Sequence, residues 1–244
     1  MKKTILFAIG MALATSPAFS AEGIHWGYSG KTGPADWAKL SPEYSSCDGK
    51  NQSPINLDGF IPAKLVPLVF DYKGGSAEIL NNGHTIQINA RPGSTVGIDG
   101  IEFELKQYHF HAPSENLIKG KSFPMEAHLV HADQNGNIVV VAVMFTAGEA
   151  NKALEKAWNQ MPKTEGEKLA LSSDISPLDL LPPNHAYYRF NGSLTTPPCT
   201  EGVRWVVIKD AVSASAAQIE EFARVMHHPN NRPVQSINAR SVLE

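Results

Sequence analysis

Gln107-Tyr108-His109-Phe110-His111 and, further on, Glu126-Ala127-His128-Leu129-Val130-His131 decide how this chain is read. On a β-strand residues i and i+2 share a face, so His109 and His111 project together with Gln107, while Tyr108 and Phe110 turn the other way into apolar packing. Glu126, His128 and Val130 repeat the alternation on what reads as a second strand. Placed side by side, the two strands bring three imidazoles to one point. Three neutral imidazoles that leave a fourth position free suit a divalent transition metal in a catalytic rather than a structural site. A lone His-x-His on a strand is more often surface or hydrogen-bonded core than ligand. The third histidine and the nearby carboxylates Glu115 and Glu126 are what move the balance.

The first residues are a basic Met1-Lys2-Lys3, an apolar run to about Thr15, and Ser16-Pro17-Ala18-Phe19-Ser20 before Ala21. That order is the pattern of a secretory signal peptide over 1–20, cleaved after Ser20, and it is short and wrongly flanked for a membrane anchor. Removing it takes Lys2 and Lys3 and no acid, so the mature chain is more acidic than the formal −3 of the whole sequence. An acidic chain is a poor partner for nucleic acid or an anionic membrane surface. No later segment approaches eighteen uninterrupted apolar residues, so no membrane span is expected in the mature form. The two cysteines, Cys47 and Cys199, form an even pair in an exported chain, which favours a disulfide over two buried thiols. It would close a loop of 152 residues, worth about 4–5 kcal/mol in the chain-entropy picture.

The remaining residues, 21–244, read as one domain, with no repeat or low-complexity linker to split them. The stretch 21–67 is rich in Trp, Gly, Pro and Ser and reads as an irregular wrap anchored by Trp26, Tyr28 and Trp37. Strand-like runs follow at 68–72, 77–81, 85–88, 94–98, 101–110, 125–132 and 138–145, separated by turns such as Asn82-Gly83, Asp99-Gly100 and Asn135-Gly136. Helices are expected over about 149–161 and 215–226, the second capped by Ser213 or Ser215. The expected fold class is mainly β (α+β in some schemes): a large, twisted, mostly antiparallel central sheet with a few peripheral helices.

His25-Trp26-Gly27-Tyr28, Gln52-Ser53-Pro54-Ile55-Asn56, Asn82-Gly83-His84, the two histidine runs, Glu115, Tyr188-Arg189-Phe190-Asn191-Gly192-Ser193-Leu194-Thr195-Thr196-Pro197-Pro198-Cys199 and Asn231-Arg232-Pro233 together resemble the α-class carbonic anhydrases. The resemblance covers almost the whole mature chain in the family's order. With the signal peptide and Ala112-Pro113-Ser114-Glu115, it points to the exported bacterial members.

The resemblance implies one Zn2+ per chain, held by His109, His111 and His128, with Gln107 and Glu126 holding the second nitrogens of the ligands. It implies zinc hydroxide as nucleophile, and the figure of about 7 for the pKa of such a water is this family's own reference value rather than one obtained from these residues. Thr195 would accept a hydrogen bond from that hydroxide and donate its own to Glu115, and its backbone amide would support a bicarbonate oxygen. Val130, Val141, Leu194, Thr196, Val203 and Trp205 would form the wall on which carbon dioxide rests. His84 would shuttle the proton, along water ordered by Tyr28, Asn82 and Gln87; Gln87 stands where the animal enzymes commonly have asparagine. His131 falls on the opposite strand face and reads as a structural histidine, and His25, His185, His227 and His228 lack ligand spacing.

The function so implied is reversible hydration of carbon dioxide to bicarbonate and a proton, in the periplasm of a Gram-negative bacterium, open to sulfonamide and anion inhibitors. Hydrolysis of activated esters by the same hydroxide is the rival enzyme class, expected only as a side activity. A non-catalytic binding module on the same fold is the third class; such proteins typically lose a zinc ligand, and all three are here. The sequence leaves the oligomeric state open, and three histidines accept cobalt or iron as well as zinc.

Overall fold

Apolar residues alternating with polar ones along 101–111 and 125–132, and in an almost unbroken run along 138–147, make three long neighbouring strands, and the rest of the sheet grows outward from them. The structure is a computed structural model describing residues 25–73, 75–171 and 175–244, so the signal peptide expected over 1–20 lies outside the described residues. In chain order the strands are β1 (Asn56–Leu57), β2 (Val69–Asp71), β3 (Ser76–Asn81), β4 (Ile86–Ala90), β5 (Thr95–Ile98), β6 (Ile101–His111), β7 (Leu117–Ile118), β8 (Met125–Ala132), β9 (Ile138–Ala147), β10 (Lys168–Ala170), β11 (Tyr187–Ser193), β12 (Glu201–Ile208) and β13 (Val212–Ala214). The helices are α1 (Trp37–Leu40), α2 (Lys152–Trp158) and α3 (Ala216–Met226).

Among the described residues eleven strands form one sheet, in which β10, β3, β4, β6, β8, β9, β12 and β11 lie side by side in that order. β4 and β5 share one side of β6, pairing with its second and first halves respectively. Most pairings are antiparallel, as expected. The exceptions within this sheet are β12 and β13, which run parallel to β9. The chain leaves β9, travels to the far edge to place β10 on β3, and returns through β11, so β12 meets β9 in the same direction. The strands β11 to β13 lie beyond the last run identified by alternation.

β6 changes phase partway along. Phe103 and Leu105 are buried in its first half and Tyr108 and Phe110 in its second, because a bulge between Leu105 and Gln107 puts one extra residue against β8. Past the bulge, Gln107, His109 and His111 face the side opposite Tyr108 and Phe110. The larger core lies on the latter side, where Tyr108, Phe110, Leu129 and Val141 meet Leu154 and Trp158 of α2 and Phe222 of α3. Burying a side chain such as Phe110 contributes about 1.5–3 kcal/mol. The other side carries a smaller core of Ile55, Leu57, Val140, Phe190, Val203, Trp205 and Val207.

α2 starts later than the expected 149, because the Asn151 side chain accepts from the amides of Ala153 and Leu154 and caps the helix there. α3 begins as anticipated, with Ser215 rather than Ser213 as cap and a reciprocal bond from Gln218. The irregular segment before β1 wraps on fully buried Trp37, whose indole donates to the carbonyl of Gly27 at 2.9 Å. Cys47 and Cys199 are joined in a disulfide that ties this segment to the loop after β11. Among the described residues no helix is long and apolar enough to cross a membrane.

Candidate functional site

β6 and β8 place His109 directly opposite His128, and His111 opposite Glu126. One ring nitrogen from each of His109, His111 and His128 lies within 4.8 Å of the others. Each remaining nitrogen meets an acceptor. His109 Nδ1 donates to Gln107 Oε1 at 2.8 Å, His111 Nδ1 to the carbonyl of Asn230 at 2.7 Å, and His128 Nε2 lies 2.9 Å from Glu126 Oε1. A neutral imidazole that donates from one nitrogen carries its lone pair on the other, so the lone pairs of His109 and His111 belong to the convergent side, and Glu126 beside His128 Nε2 favours the same for the third. His111 Nε2 is buried with no hydrogen-bond partner, a costly arrangement for a polar atom and one that a cation would relieve. Burial, above all, holds all three imidazoles below their ordinary pKa and so in the form that binds metal.

The carboxylates are braced from behind. Glu126 Oε2 accepts from the backbone amides of Glu115 and Asn116 at 2.7 and 2.9 Å, and its Oε1 accepts from Asn116 Nδ2 at 2.7 Å. Burial raises its pKa, and these donors oppose the rise. Glu115 is pushed up to about 8 by burial, opposed by the backbone amide of Arg232 and by the hydroxyl of Thr195. Arg232 N–H donates to Glu115 Oε1 at 2.7 Å. Thr195, on the loop following β11, thus lies near enough to the carboxyl expected from sequence to lower its pKa.

A recess of about 120 Å³ opens beside His109 and His111, walled by Tyr28, Asn82, His84, Gln87 and Thr196 among others. The residues expected along a proton path thus share one space with two members of the histidine triad. His84 is half-buried and stacks on Trp26, with ring centroids 3.7 Å apart and planes at 7°. Burial lowers its pKa and Glu165 raises it. Asn82 also builds the turn, since its Oδ1 accepts from the amides of His84 and Thr85, while Gly83 takes φ +81°, a value natural to glycine. Gln87 faces His109 across the β4–β6 ladder and donates to Asn89. Burial and the charge of Glu115 hold the Tyr28 phenol well above its ordinary pKa, so it stays neutral.

The expected apolar wall forms with one correction. Val130, Leu194, Val203 and Trp205 gather on the histidine side of the sheet, and the Trp205 ring lies 4.9 Å from that of His128. Val141 does not join them. Its side chain enters the larger core on the opposite side, and Val140, in register with both Val130 and Trp205, takes the place on the wall. Adjacent strand residues face opposite ways, and the continuous run Val139-Val140-Val141 carries no polar alternation from which to choose between them.

Sequence reasoning also missed Asn116, Trp26 as the platform under His84, and above all Asn230, whose carbonyl holds His111 across a separation of 119 residues. No local pattern marks Asn230; the neighbouring Asn231-Arg232-Pro233 was its one signal. His131 is fully buried on the larger-core side and bonds to Tyr72 Oη at 2.7 Å, in keeping with a structural histidine.

Residues 32–244 match the family described as eukaryotic-type carbonic anhydrase. The chain is 48% identical over 239 residues to the carbonic anhydrase of Pectobacterium carotovorum, covering 96% of this chain and 98% of that one. It is 47% identical to the carbonic anhydrase of Neisseria gonorrhoeae over 243 residues, 98% of this chain and 96% of the other. Among solved structures, the α-carbonic anhydrase of Thermovibrio ammonificans in complex with the inhibitor sulfanilamide superposes with a TM-score of 0.90 at 51% identity, covering 91% of this chain and 100% of the other.

Proposed function

The chain belongs to the eukaryotic-type (α) carbonic anhydrase family, and from that membership we propose that it hydrates carbon dioxide reversibly to bicarbonate and a proton, using one zinc ion held by His109, His111 and His128. The observation that carries this reading is the convergence of three imidazoles, each with its other nitrogen engaged, at a small recess flanked by an apolar wall. When bound there, zinc acidifies a coordinated water so that hydroxide is available as nucleophile near neutral pH.

The protein's own groups supply orientation. Gln107, the Asn230 carbonyl and Glu126 fix the three rings. Beside a divalent cation the carboxylate form of Glu115 is favoured, and that form accepts the hydroxyl proton of Thr195. With its single hydrogen so committed, Thr195 Oγ1 can only accept from the nucleophile, which turns a lone pair toward the substrate. Val130, Val140, Leu194, Val203 and Trp205 offer carbon dioxide an apolar surface, the fitting receptor for a molecule with little to hydrogen-bond. The Thr195 backbone amide supports an oxygen of the bicarbonate formed. His84, at the edge of the recess, carries the released proton to buffer past Tyr28, Asn82 and Gln87. Hydrolysis of activated esters by the same nucleophile is a side reaction in this reading.

Export to the periplasm, through the segment 1–20, completes the proposal. The Cys47–Cys199 disulfide is chemistry suited to such an oxidising compartment. Sulfonamides, one of which occupies the Thermovibrio ammonificans relative, are expected to inhibit this chain as well.

Stopped-flow measurement of carbon dioxide hydration by the mature protein, with and without a zinc chelator and with a sulfonamide in parallel, tests the reading. Rapid hydration that disappears with either treatment is the expected result. A folded, zinc-loaded protein that hydrates no carbon dioxide would overturn it.

A further inference from the structure

The segment 230–232 has neither helix nor strand, yet three site groups depend on it. Asn230 is fully buried. Its carbonyl accepts from His111 Nδ1 at 2.7 Å, its Oδ1 accepts from the Ala112 amide at 2.9 Å, and its Nδ2 donates to the carbonyls of Phe110 and His84 at 2.9 and 3.0 Å. Two residues on, the Arg232 amide holds Glu115. A stretch without a ladder of its own needs an anchor, and the Arg232 side chain provides one. It is 1% exposed and lies over the Trp37 ring. Its Nη1 donates to Gln52 Oε1 and to the Ser53 carbonyl, both at 2.8 Å, and its Nη2 donates to the Cys47 carbonyl at 3.0 Å. Gln52 Nε2 in turn donates to the Cys199 carbonyl and to Glu201 Oε1. The guanidinium thus binds the segment to both halves of the disulfide-linked region.

We propose that 230–232 is a strap that sets His111, Glu115 and the backbone of His84 together, and that Arg232, which touches none of the reacting atoms, is a positioning residue acting through it. Burying a cation among neutral carbonyls is unfavourable in itself, and an apolar side chain would fill the space at less cost. What the guanidinium supplies is a rigid planar fork that fixes two directions at once, which a lysine ammonium cannot do. Small displacements of partners behind metal ligands commonly change metal affinity or activity by about 10–100-fold. The inference rests on the zinc reading given above.

The test compares full-length mature Arg232→Gln, Arg232→Lys and wild-type protein, each loaded with zinc, by zinc release into a chelator, by kcat and kcat/KM for carbon dioxide hydration, and by melting temperature. For Arg232→Gln, zinc release accelerates and kcat/KM falls, each on the order of tenfold. Proton transfer follows bicarbonate departure and enters kcat alone, and the His84 ring rests on Trp26 rather than on the strap, so kcat falls less. Arg232→Lys recovers part of both losses. A lower melting temperature with wild-type zinc release and wild-type kcat/KM makes Arg232 a packing residue and overturns the proposal. Should Arg232→Gln fail to fold, Gln52→Ala removes one acceptor of the guanidinium and must shift zinc release in the same direction by a smaller factor; unchanged release overturns the proposal equally. If wild-type protein hydrates no carbon dioxide, the functional reading fails, while the zinc-release comparison still decides on the strap.

Discussion

His128 and His131 stand three residues apart on β8, both buried, both held below the ordinary histidine pKa by burial, and they serve opposite sides of the sheet. His128 meets two other imidazoles and a carboxylate braced by three N–H groups. His131 meets one tyrosine hydroxyl and the larger core. Residue type and burial are the same in the two cases, so neither identifies a ligand. What distinguishes His128 is that its free nitrogen has company.

The largest way to break that comparison is to cross the sheet between neighbours in the chain. His111→Ala should cost more than about 100-fold in carbon dioxide hydration, beyond the range typical of outer partners, and should lose bound zinc in a metal assay while the fold persists by circular dichroism. Phe110→Ala, one residue away on the other side, should instead cost about 3–5 kcal/mol in denaturant unfolding. Retention of zinc by His111→Ala would remove the distinction between the two sides.

His131 sharpens the comparison through pH. Burial lowers its pKa to about 4 in the folded chain, against about 6.5 when unfolded. The unfolded state therefore binds the extra proton first, and stability present above pH 6.5 is lost as pH falls toward 4. The shift is worth roughly 3 kcal/mol at most. In His131→Gln, which keeps a polar partner for Tyr72, that part of the acid slope should vanish from urea titrations, with His109, His111 and His128 untouched. An unchanged slope would place the acid sensitivity elsewhere.

The smallest expected effect separates Val140 from Val141. Val141→Thr buries a hydroxyl in the larger core and should cost about 1–3 kcal/mol of stability with little change in kcat/KM. Val140→Thr should lower kcat/KM several-fold by making the wall polar. The reverse pattern in paired melting and hydration assays would return Val141 to the site.

Much of this was legible because it is local. The convergence of the three histidines follows from period-two alternation, and the longer strands over 69–147 announce themselves through turns and β-rich runs. The Val140 side of β9 was not legible, since a strand buried on both faces has no polar residues to mark its phase. β11 was hidden within a stretch taken for its motif, β12 just after it was not read as a strand, and the partners of His111 and Glu115 on 230–232 come from the far end of the chain. Contacts over such separations leave no periodic trace; only the likeness of Asn231-Arg232-Pro233 to the family pointed there.

The bulge in β6 gives the strand something like a reading frame. Phe103 and Leu105 are odd-numbered and face the core, while the odd-numbered His109 and His111 face the site, and only the extra residue at Lys106 reconciles the two. Deleting Lys106 would act as a frameshift, driving either both histidines or both apolar residues to the wrong side without altering one of them. A single insertion elsewhere between Phe103 and Gln107 would suppress it, so the length of that short stretch matters to the site as much as the identity of its histidines.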